Sequence, residues 1–279
     1  MRRRLGTWVP VGLVLAAGGA LVAAGQRARL HLRAGYPPPG RMVDVGGYRL
    51  HLVEEGEGSP TVVIDTGQGD FTLTWRGIVR RVAEFTRVCA YDRAGLGWSE
   101  TSPEPRTAEV MVEELHALLT RTGVPGPYVL VGASLGGMNV RLYAHTHPDE
   151  VAGLVLVDAA HEEQFTAPEV REAAQRMEQV VPLVSRVLAG LVRSGIPALW
   201  PGLLPDVGGI RARLPAEDVP AYDAVVAANP KHLLAAAAEI RDLPATRAQM
   251  VAADITSLGD RPLVVLRHGR EQPMMGPPE

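Results

Sequence analysis

Apolar and polar positions alternate through RMVDVGGYRLHLVEEG, residues 41–56, break at Gly46-Gly47 and then resume, a pattern that predicts two strands joined by a tight turn. Beyond it, short continuous apolar runs alternate with helical periodicity. TVVID (Thr61 to Asp65) precedes a helical stretch around Leu73 to Phe85, and RVCAYD (Arg87 to Asp92) precedes one around Ala108 to Thr122. YVLV (Tyr128 to Val131) precedes Leu135 to Ala144, and GLVLVD (Gly153 to Asp158) follows. Unbroken apolar runs of this length suit parallel strands covered on both faces. Between His161 and Ile255 no strand is evident. Glu169 to Met177, Leu183 to Val192, Val219 to Ala228 and Leu233 to Ile240 read there as helices broken by prolines, an inserted helical cap. RPLVVLRHG, Arg261 to Gly269, resumes the strand pattern. The expected class is therefore α/β, a mostly parallel sheet with helices on both faces. Its expected divisions are an N-terminal segment (1–35), a core (36–160), a cap (161–255) and a last core strand with its tail (256–279).

The N-terminal segment differs in kind. MRRR is followed by an uncharged run from Leu5 to Gly25, and at about 1.5 Å per helical residue that run reaches roughly the 30 Å of a bilayer core. It predicts a single-pass membrane anchor, with a signal peptide cleaved near Ala23, Ala24 and Gly25 as the rival reading that would leave the protein secreted. Arginines flank the run on both sides, so charge assigns no orientation. YPPPG, Tyr36 to Gly40, reads as a stiff spacer between anchor and globule.

Charge and composition narrow the function. With Lys+Arg 28 against Asp+Glu 31 there is no basic field to hold nucleic acid, and no such partner is expected. The lone Cys89 sits in an apolar strand and reads as a buried structural thiol. No phosphate loop, dinucleotide fingerprint or metal-ligand spacing is evident, so neither cofactor nor metal is expected.

The chemistry centres on Gly132-Ala133-Ser134-Leu135-Gly136, a G-x-S-x-G placed between a strand and a helix. In that context a sharp turn exposes the serine hydroxyl above the sheet edge with a helix N-terminus beneath it, and the glycines leave room for close packing. Ser134 is thus the candidate nucleophile. The rival reading is a merely structural glycine turn. DRAGLGWS, Asp92 to Ser99, reads as a structural loop in which Asp92 hydrogen-bonds backbone groups.

YPPPGRMVDVGGYRLHL, YDRAGLGWSE, PYVLVGASLGG and AGLVLVDAAHEEQ occur in order between Tyr36 and Gln164. As a set they resemble the α/β-hydrolase fold family, in particular its membrane-anchored bacterial serine hydrolases. Ala133 stands where many relatives carry histidine, and DTGQGD replaces the more familiar HGxxG loop; neither change removes a backbone donor. The resemblance implies an oxyanion hole made by the backbone N–H groups of Leu135 and Gln68. It also implies an acid at a strand end. Asp158, after GLVLVD, is favoured over Glu271 in RHGREQP, and Asp158 has a structural reading as well.

The same resemblance implies a histidine in a loop after a final strand. His145 and His147 lie about three turns down the helix from Ser134, roughly 16 Å away, and cannot reach it. His161 and His268 are near enough to the sheet edge to be substitute bases. The expectation drawn from this is a C-terminally truncated chain whose final helix, strand and base lie beyond residue 279. The function expected is hydrolysis, by a serine nucleophile and a backbone oxyanion hole, of a small apolar carboxylic ester or related acyl substrate, impaired or abolished in this chain. The alternative is an inactive hydrolase-fold protein that binds a lipophilic ligand or a partner.

Overall fold

The computed structural model describes residues 8–206 and 209–269. Seven strands form one sheet: β1 (Arg41–Asp44), β2 (Arg49–Glu55), β3 (Thr61–Asp65), β4 (Val88–Asp92), β5 (Tyr128–Ala133), β6 (Val151–Val157) and β7 (Leu263–Leu266). Their spatial order is β1-β2-β4-β3-β5-β6-β7. β1 and β2 form the antiparallel hairpin expected around Gly46-Gly47, and β2 pairs antiparallel with β4. All other pairs are parallel. The helices are α1 (Trp8–Gly35), α2 (Arg76–Ala83), α3 (Ala108–Thr122), α4 (Leu135–Thr146), α5 (Pro168–Ser194), α6 (Ile196–Leu199), α7 (Ile210–Arg213), α8 (Val219–Val226) and α9 (Pro230–Ala253).

The central strands are buried along their whole length because both faces are covered. β3 and β4 bury every residue. Leu50, Leu52, Val63, Cys89 and Leu130 pack with Met111, Leu115 and Leu118 of α3 and Met138 and Leu142 of α4, while Val62, Ile64, Val88 and Ala90 face Val79 of α2 on the other side. Cys89 is the buried thiol expected, and burial pushes its pKa up to about 12, which removes it as a nucleophile.

Two expectations need correction. Prolines mark some of the breaks, Pro197, Pro220 and Pro230 opening α6, α8 and α9, but two do not break a helix: α5 runs through Pro182 and α9 through Pro244. A proline removes one helical hydrogen bond and crowds the preceding turn, but α5 packs along α9 and α9 in turn on α3 and α4, and tertiary packing outweighs that local cost. The membrane anchor is also not supported. Leu5, Gly6 and Thr7 of the expected span lie outside the described residues, and among the described residues no helix is long and apolar enough to cross a membrane. The last turns of α1 carry Arg27, Arg29 and Arg33, and its C-terminal half packs on the body. There Gly25 meets Gly195 so closely that a Cβ on Gly25 would lie 2.7 Å from the Gly195 carbonyl carbon.

α9 is tied to the loop after β4 by His232, whose Nδ1 accepts from the Gly97 N–H at 3.1 Å. Burial pushes the His232 pKa from its ordinary 6.5 down to about 4. The folded state therefore refuses a proton that the unfolded chain accepts. Stability should fall as pH drops through the window from 6.5 to about 4, by about 3 kcal/mol in full. Denaturant unfolding across that window should show this slope, and His232→Asn, which keeps an acceptor for Gly97, should flatten it. An unchanged slope would remove His232 as its source.

Candidate active site

Ser134 stands between β5 and α4 with φ 49 and ψ −116, a conformation that L-residues rarely adopt. The surrounding backbone holds it there. The Ser134 N–H donates to Val157 O at 3.2 Å, while its carbonyl accepts from Gly137 N at 3.0 Å and Ala160 N at 2.9 Å. The motif glycines are dictated by space. A Cβ on Gly132 would lie 2.6 Å from Gly136 O, and one on Gly136 would collide with Asp65 O and lie 2.7 Å from Thr66 O. The turn leaves the Ser134 side chain exposed while Ala133 and Leu135 on either side are buried.

The loop after β3 passes directly beside it. A Cβ on Gly67 would lie 3.7 Å from Ser134 Cβ. Arg93 fixes this loop, its Nη1 donating to Thr66 O at 2.7 Å and its Nη2 to Gly67 O at 2.6 Å. In a trans peptide the N–H points away from the C=O, so holding Gly67 O on the guanidinium turns the Gln68 N–H to the opposite side. The neighbouring Gly69 N–H donates to Glu239 Oε2 at 2.8 Å, and the Gln68 side chain donates to Ala236 O at 2.7 Å. Among the described residues neither the Gln68 N–H nor the Leu135 N–H has a protein acceptor. Both are free to donate, and Leu135 opens α4, where the helix dipole favours negative charge.

Arg93 and Glu239 were not singled out by sequence reasoning. Arg93 Nη1 donates to Asp65 Oδ1 at 2.5 Å and Nε to Glu239 Oε1 at 2.6 Å, with all three side chains about 1% exposed. Burial would lower the guanidinium's pKa, but the carboxylates of Glu239 and Asp65 outweigh it and hold the pKa above its ordinary value, so Arg93 stays charged. One signal was available: Glu239 is the lone acid in the apolar helical run LLAAAAEI, and a charge on a buried helix face requires a partner. The adjacent Asp92 holds the loop shape as expected, accepting from the N–H groups of Thr72 (2.8 Å) and Trp98 (2.9 Å) and from His51 Nδ1 (2.8 Å). Burial would raise its pKa; His51 and those two N–H groups more than offset this and hold it below its ordinary value.

Asp158 follows β6 with φ 45, and His268 follows β7. The His268 Nδ1 lies 2.7 Å from Asp158 Oδ1, with the two side chains about half exposed. His161 is engaged differently: its Nδ1 accepts from Glu163 N at 3.2 Å and caps a short 3-10 turn, Glu162–Phe165. Glu271 lies outside the described residues. Among the described residues no histidine is hydrogen-bonded to Ser134 Oγ in this state.

A cavity of about 190 Å³ opens on Ser134, with Leu135, Ala160, Phe165, Met177, Ile240 and Leu243 supplying an apolar wall and Gln68, Gln164, Glu178 and Glu239 polar points. A family model described as alpha/beta hydrolase fold matches residues 60–192. The chain carries the α/β-hydrolase fold. The chain is 34% identical over 139 residues to a Hormonema carpetanum protein named "Probable transporter efuK", covering 47% of this chain and 20% of that protein. It is 30% identical over 132 residues to Epoxide hydrolase 4 of Mus musculus, covering 46% of this chain and 36% of that one. It thus spans well under half the length of these curated relatives. The Cif epoxide hydrolase from Acinetobacter nosocomialis superimposes with a TM-score of 0.65 over 88% of this chain and 90% of its own, at 14% identity, a likeness of fold alone.

The Arg93 network generates a stability prediction. Arg93→Met leaves two buried carboxylates without a counter-charge, and unfolding in urea should show a loss of about 3–5 kcal/mol. A loss below about 1 kcal/mol, the range of an exposed pair, would show that the network does not hold the loop.

Proposed function

We propose that this chain is a serine hydrolase that transfers a small acyl group from a carboxylic ester to Ser134 and then to water. The observation that carries the reading is the exposed Ser134 hydroxyl on a strained turn, beside two backbone N–H groups that have no other acceptor. Attack by Oγ on an ester carbonyl puts negative charge on the carbonyl oxygen, and the N–H groups of Gln68 and Leu135 are the donors for it. Because the protein holds both donors in place before reaction, their stabilisation of the transition state needs no reorganisation.

In this reading His268 is the base and Asp158 orients it. Asp158 accepts from Nδ1, which leaves Nε2 to take the Ser134 proton and return it to the leaving alcohol. The apolar cavity wall suits a short acyl or aromatic group, and its size argues against long acyl chains. Epoxide hydrolysis, named for several relatives, fits less well. Ring opening there proceeds through an alkyl ester on a carboxylate nucleophile, and the elbow here carries a serine.

A serine-directed fluorophosphonate should label the protein at Ser134, and Ser134→Ala should abolish labelling while leaving the circular dichroism spectrum unchanged. Equal labelling of both proteins would overturn the assignment. With p-nitrophenyl acetate, His268→Gln should lower kcat by about 10³–10⁴-fold and Asp158→Asn by a comparable factor, while Glu271→Gln leaves it unchanged. Loss in Glu271→Gln alone would transfer the acid role to Glu271. Full activity in His268→Gln would place the base elsewhere.

A further inference from the structure

At the opposite end of α4 from Ser134, a side chain from α3 converges with two from the chain that leaves α4. His116 comes from the middle of α3, His147 ends α4, and Glu150 closes the short turn that follows. One ligand atom from each lies within 4.8 Å of the others, and all three residues are half-buried, open to ions from solvent but held by packing. His116 Nδ1 is 3.4 Å from Glu150 Oε2. Two donors on one tetrahedral ion with bonds of about 2.0–2.1 Å stand about 3.3 Å apart, so this pair is already at ligand spacing.

The surroundings have the features of a ligand shell. Tyr143, whose ring is fully buried, donates its hydroxyl to Glu150 Oε2 at 2.5 Å and so fixes the carboxylate, as outer-shell partners fix metal-bound carboxylates. The imidazoles of His116 and His147 stack with centroids 4.0 Å apart and planes 6° from parallel. A ring nitrogen of His147 thus already lies within 4.8 Å of the His116 and Glu150 ligand atoms. The position is the C-terminus of a 12-residue helix, where the carbonyl ends favour a cation.

We propose that His116, His147 and Glu150 bind a zinc-class divalent transition metal, with a fourth position left to solvent. Two imidazoles and one carboxylate suit borderline ions of that class better than calcium or magnesium, which take oxygen ligands. Twelve residues of α4 separate the site from Ser134, about 18 Å at the helical rise. The ion acts as a clamp between α3, α4 and the turn before β6, independently of the chemistry at Ser134.

The test uses the full chain, stripped with a chelator and titrated with Zn²⁺ alone by calorimetry, then with Co²⁺ to read its visible ligand-field bands. The expected result is one saturable site, tetrahedral-type Co²⁺ bands and a Tm raised by Zn²⁺. His116→Gln and His147→Gln should each lower affinity at least about 10-fold, and Tyr143→Phe, which removes only the outer-shell bond, by about 10-fold. His145→Gln, on the exposed side of α4, should leave binding unchanged, as should Ser134→Ala. Circular dichroism of each metal-free variant separates lost binding from lost folding. Absence of saturable Zn²⁺ binding by the parent, or parent-like affinity in a folded His116→Gln/His147→Gln double variant, overturns the proposal.

Discussion

Arg93 lies in the interior with one carboxylate on either side, Asp65 at the end of β3 and Glu239 on α9, and its remaining donors hold the carbonyls of Thr66 and Gly67. A charge at such depth persists only when its partners are close and well directed. Here that demand couples the sheet, the loop beside Ser134 and the cap. Asp65 is further satisfied by Tyr91 from β4 at 3.0 Å and by Asn139 from α4 at 2.9 Å. The strand end, helix α4 and the loop between them therefore share one hydrogen-bonded network, and displacing any member leaves another unpaired.

The consequence for the site is geometric. A glycine-rich loop beside a reactive group is mobile unless its backbone groups are engaged, and here the carbonyls of Thr66 and Gly67 and the N–H of Gly69 are all taken by Arg93 and Glu239. The Gln68 N–H is the group left over. On the other side, collision between any Cβ at Gly136 and the end of β3 sets how near α4 approaches. Ser134 sits where these two constraints meet. The cap contributes Glu239 and the Ala236 carbonyl to the loop, so the helical insertion supports the site's geometry as well as covering it.

Much of this architecture was legible in the chain because its signals are local. Short apolar runs marked the strands, Gly46-Gly47 marked the hairpin, and the glycines around Ser134 marked the turn. What was not legible depends on groups distant in sequence. Asp158 and His268 meet across 110 positions, Arg93 and Glu239 across 146, and no periodicity reports such pairings. Pro182 and Pro244 were read as breaks because their local cost is visible in sequence whereas the packing of α5 on α9 is not. His116, His147 and Glu150 escaped for the same reason, since helix α3 supplies one member and the end of α4 with the turn after it the other two.

The chemistry proposed at this site turns on Ser134 itself accepting the acyl group. Brief incubation with p-nitrophenyl acetate, an acid quench and peptide mass mapping test it most directly. The expected result is an added acetyl group on the peptide that contains Ser134, localised to that residue. An unmodified Ser134 together with a covalent adduct on another side chain, or turnover of the ester with no adduct at any time point and undiminished by Ser134→Ala, would contradict it.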